Sequence, residues 1–148
     1  MNQNEAFELA HSLLRPTGAL GYLVTRGPAW PPLDECDEYK RAVSLVMGNA
    51  YCLLQPIWDE HPNLDPGCAS NSDPLRFGEQ PHPPQTGPSG LLPYLDEADA
   101  VQQRAVSRML EDTSTSRHKA FIEASAQQLQ EAIIQARHVF EKNNMQKR

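Results

Sequence analysis

The chain has 148 residues, with 13 Lys and Arg against 19 Asp and Glu, a net charge of −6, 13 prolines and 3 cysteines. That length suits one domain with a sizeable core. The negative charge, the lack of any apolar run near the ~18–20 residues of a membrane span, and a polar, acidic Met1–Glu8 argue against nucleic-acid binding, a membrane protein and a secretory signal.

Asn4–Arg15 reads as a first helix, because Ala6, Leu9, Ala10, Leu13 and Leu14 recur at the helical period, and Pro16 is expected to end it. Residues 16–33 then read as a connector rich in Gly and Pro. The short apolar run Ala19–Thr25 has no partner strand, so a packed loop or helical turn is expected there. The next helix spans about 34–61. Asp34 can cap it, and Glu35, Asp37 and Glu38 suit its positive end. Tyr39, Val43, Val46, Met47, Ala50, Leu53, Leu54, Ile57 and Trp58 form its apolar stripe. Pro56 falls within the stripe and predicts a kink or break, and Gly48 predicts close approach of another helix.

Residues 62–93 form a second irregular segment, holding eight of the prolines and the extended piece Pro81-His82-Pro83-Pro84. A third helix follows over about 94–111. Pro93 suits its first turn, and Leu95, Ala98, Val101, Ala105, Met109 and Leu110 mark its buried face. Asp112–Ser116 is cap and turn chemistry. A fourth helix covers about 117–144, with Ile122, Ser125, Leu129, Ala132, Ile133, Ala136, Val139 and Phe140 facing inward. The expectation is an all-α, four-helix bundle-like single domain over 1–148, with long Pro/Gly-rich connectors. The second and fourth helices form its spine, and the third and fourth make an antiparallel hairpin.

Charge is distributed unevenly. Before Pro93 there are 5 basic and 11 acidic residues, and from Pro93 onward there are 8 of each. The acids cluster at Asp34, Glu35, Asp37 and Glu38 and again at Asp59 and Glu60, at opposite ends of one predicted helix. Such clusters stabilise helix ends and favour solubility, or they meet a basic partner. Trp30, in a Pro-rich loop, is either a pin on the bundle or an interface anchor, whereas Trp58 belongs to the core.

No motif fixes a chemistry. The spacings HxxxH, CxxC and HExxH are absent, so His61 and Cys68 with Asp59, Glu60 and Asp65 make only a loose metal-ligand grouping. There is no GxSxG and no phosphate-binding glycine loop. Cys52 reads as a core residue, and acids flanking Cys36 make it a poor nucleophile. The cysteine spacing matches no disulfide framework, so reduced thiols in a cytoplasmic protein are expected. His118, between Arg117 and Lys119, reads as a surface residue.

These readings converge on a non-catalytic, acidic protein without cofactor or metal. Asp34, Glu35, Asp37, Glu38, Asp59, Glu60 and Trp30 would meet another protein with a basic surface, as in neutralising proteins of the immunity-protein or antitoxin type. The alternatives are a homodimeric structural or scaffold protein, and a metal- or ligand-binding helical bundle.

Overall fold

The computed structural model describes residues 1–26, 33–65 and 90–146, and the side chains among them apart from 25–26, 33–37 and 143–146. Trp30, Cys68, the Pro81–Pro84 piece and the proposed Asp34 cap lie outside the described residues or side chains. Five α-helices occur among the described residues: α1 (Gln3–Arg26), α2 (Leu33–Leu53), α3 (Gln55–Glu60), α4 (Leu92–Glu111) and α5 (Lys119–Gln146). Short 3-10 turns follow α3 at Pro62–Leu64 and precede α5 at Ser116–His118. The fold is an all-α bundle, and no described residue is in a strand.

The four long helices pack as a closed ring in which α1 meets α2 and α4, and α5 meets α2 and α4. Side-chain pairs fix their directions. Glu5 at the start of α1 meets Arg108 at the end of α4, so these two are antiparallel. Asp96 early in α4 meets Arg137 late in α5, and Tyr39 early in α2 packs its ring edge-on against Phe140 late in α5. Every neighbouring pair is therefore antiparallel, while α2 and α4 run the same way on opposite corners. The α2–α5 contact is the most extensive, and the eight inward positions read for the last helix are all buried.

Pro16 does not end the first helix: α1 continues ten residues beyond it, and the run Ala19–Thr25, expected as a packed loop or a helical turn, is part of that continuous helix. A proline inside a helix costs roughly 3 kcal/mol. Leu20 and Leu23 beyond it are buried, and each such burial contributes about 1.5–3 kcal/mol, enough to offset that cost. The Thr17 hydroxyl also donates to the Leu13 carbonyl at 3.1 Å, one turn back.

The helix read as continuous over 34–61 breaks at Leu54 into α2 and α3. In an unbroken helix the Cys52 carbonyl would need the N–H that Pro56 lacks. Pro56 instead occupies the first turn of α3, where no N–H is required. The indole of Trp58 donates at 3.1 Å to the Tyr51 carbonyl, which also accepts the Leu54 N–H at 3.2 Å where the helix breaks.

Three packing expectations are corrected. Cys52 is exposed, because it lies off the α2 stripe. Met47 is also exposed, and it reaches across to α1. Close approach occurs at Gly21 and not at Gly48: a Cβ at Gly21 would lie 2.5 Å from Met47 Sδ, whereas one at Gly48 meets nothing within 4 Å. No helix among the described residues is long and apolar enough to cross a membrane.

Candidate functional site

The ring places the start of α1, the end of α3, the end of α4 and the start of α5 together at one end of the bundle. The acidic pair Asp59-Glu60 lies there. Glu38 lies near the other end, since fifteen residues of helix from Glu38 to Leu53 span about 22 Å. The two acidic clusters therefore do not combine into one patch. Glu38 is half-buried, and the side chains of Asp34, Glu35 and Asp37 lie outside those described.

At the acidic end, each group has its own partner. Asp59 is exposed, and its Oδ1 accepts the Gln55 amide at 2.8 Å one turn earlier. Glu60 faces the α4–α5 connector, where the Ser114 hydroxyl lies 3.0 and 2.9 Å from its two carboxylate oxygens. His61 Nε2 lies 3.2 Å from the Met1 carbonyl and 3.8 Å from Glu60 Oε1. Asp65 accepts the phenol of Tyr51. That bond to a carboxylate, assisted by burial, pushes the Tyr51 phenol up to about 12.

Asp112 is buried beneath these groups. Its Oδ1 takes the Met1 ammonium at 2.5 Å, and its Oδ2 takes the Ser114 hydroxyl at 2.6 Å and the Ser114 and Thr115 N–H groups at 3.2 Å. The ammonium, then Ser114, hold its carboxyl well below the usual carboxylate range, against the effect of burial. The Thr115 hydroxyl donates to the Met109 carbonyl at 2.5 Å and so closes the last turn of α4. Beside this cluster Glu5 bonds Arg108, which lowers the Glu5 pKa and raises that of the guanidinium.

Among the described residues the loose metal-ligand grouping is not assembled. Cys68 lies outside the described residues; Asp59 and Asp65 turn to Gln55 and Tyr51, and only Glu60 and His61, 3.8 Å apart, approach each other. No group of three His, Cys, Asp or Glu side chains converges among the described residues. Ser114 rests between two carboxylates, and the ring of His61 is directed to a backbone carbonyl, so the hydroxyl and the imidazole do not form a nucleophile–base pair in this arrangement.

Sequence reading found the acids at the end of α3 and the turn chemistry of Asp112–Ser116. It did not find the Glu5–Arg108 pair or the docking of Ser114 on Glu60. These join residues 103 and 54 positions apart, and no local pattern encodes such a meeting. No family model, curated protein or solved structure matches the chain.

Proposed function

We propose that the chain acts by binding another protein through an acidic surface, without catalysis, in the manner of a small neutralising partner such as an immunity protein or antitoxin. The observation that supports this reading is how the acids are partnered. Glu5, Asp96 and Asp112 sit against Arg108, Arg137 and the Met1 ammonium. Asp59 and Glu60 are exposed: Asp59 accepts the neutral Gln55 amide, Glu60 lies beside the Ser114 hydroxyl and 3.8 Å from the His61 imidazole, and among the described residues neither is paired with an Arg or Lys side chain. Charge of this kind attracts a basic surface and accelerates encounter. Glu38, with Asp34, Glu35 and Asp37, forms a second acidic contact at the other end of the bundle, and Trp30 supplies an apolar anchor. A reducing, cytoplasmic setting accords with the free, exposed Cys52.

The test is a partner captured on the immobilised chain, followed by association kinetics with the purified pair. The double reversal Asp59→Lys, Glu60→Lys is expected to slow association by about tenfold or more at low salt. The wild-type rate should fall steeply from about 0.05 M to 0.5 M salt. An unchanged rate in the reversed variant removes the acidic end of α3 from the interface. A stable homodimer in sedimentation, with no other partner retained, favours the scaffold reading instead.

A further inference from the structure

We draw no further inference here: the strongest candidate, the exposed apolar side chains Leu45 on α2 and Phe121 and Ile134 on α5, is unpartnered apolar surface that does not gather on one face, and nothing in the structure shows what covers it.

Discussion

The two glycines at 21 and 48 show how the same residue type serves different ends. Both lie inside helices, where glycine costs roughly 0.5–1 kcal/mol relative to alanine. At Gly48 a methyl group enters open space, so Gly48→Ala should recover that cost and raise the melting temperature by about 1–4 °C. At Gly21 the methyl collides with Met47, so Gly21→Ala should gain less or destabilise, depending on how far the flexible thioether can move. Parallel thermal melts of the two variants check this. A Gly48→Ala protein that melts at or below the wild type would contradict the open helical position assigned to residue 48.

Among the elements, the α4–α5 hairpin is the one whose turn chemistry was readable in advance, and it offers a direct test. Thr115 is buried, and its hydroxyl serves the Met109 carbonyl at the end of α4. Thr115→Val keeps the shape and deletes the donor, leaving a buried acceptor open. A loss of about 1–3 kcal/mol is expected in urea unfolding. A neutral result would mean that water reaches that carbonyl. The sequence was legible here because Asp, Ser and Thr act on backbone groups two to six residues away, within reach of a local reading. The same holds for α5, whose inward stripe follows from spacing alone, and for the break near Pro56, which follows from a missing N–H. The end of α1 was not legible. The local rule for Pro16 is correct about its cost, but burial of Leu20 and Leu23 depends on neighbours far along the chain. The site was partly legible for the same reason: acids can be counted in a sequence, but which of them are neutralised by Arg108 or Arg137 is decided by the ring of helices.

At the scale of the whole molecule, the polar contacts at one end of the bundle predict stability losses toward both pH extremes. Asp112 and Glu5 have folded pKa values lowered from 3.8 and 4.5, so the unfolded chain binds more protons as acid is added. Their contribution is complete above those ordinary values and is lost as pH falls through the lower, folded ones. Tyr51 behaves oppositely. Its phenol is raised from 10.0 to about 12, so its contribution is complete below pH 10 and is lost as pH rises toward 12. Urea midpoints across this range should therefore decline at both ends. Tyr51→Phe, which cannot donate to Asp65, should remove the part of the alkaline decline between pH 10 and 12 and leave in place both the acid limb and the earlier loss from the Met1 ammonium, whose pKa is raised from 8.0. If the alkaline limb is the same in Tyr51→Phe, the Tyr51–Asp65 bond is not its source.

The junction between α2 and α3 also makes the molecule optically self-reporting. Trp58 is 2 % exposed, its indole N–H is fixed on the Tyr51 carbonyl, and its ring lies 5.7 Å from that of Tyr51. An indole held dry with a settled hydrogen-bond partner emits at shorter wavelength than one in water. With Trp30 replaced by Phe, the emission colour of the single remaining indole reads whether Trp58 stays buried at the junction. Changes at the adjacent end of α3 can then be followed without any attached dye.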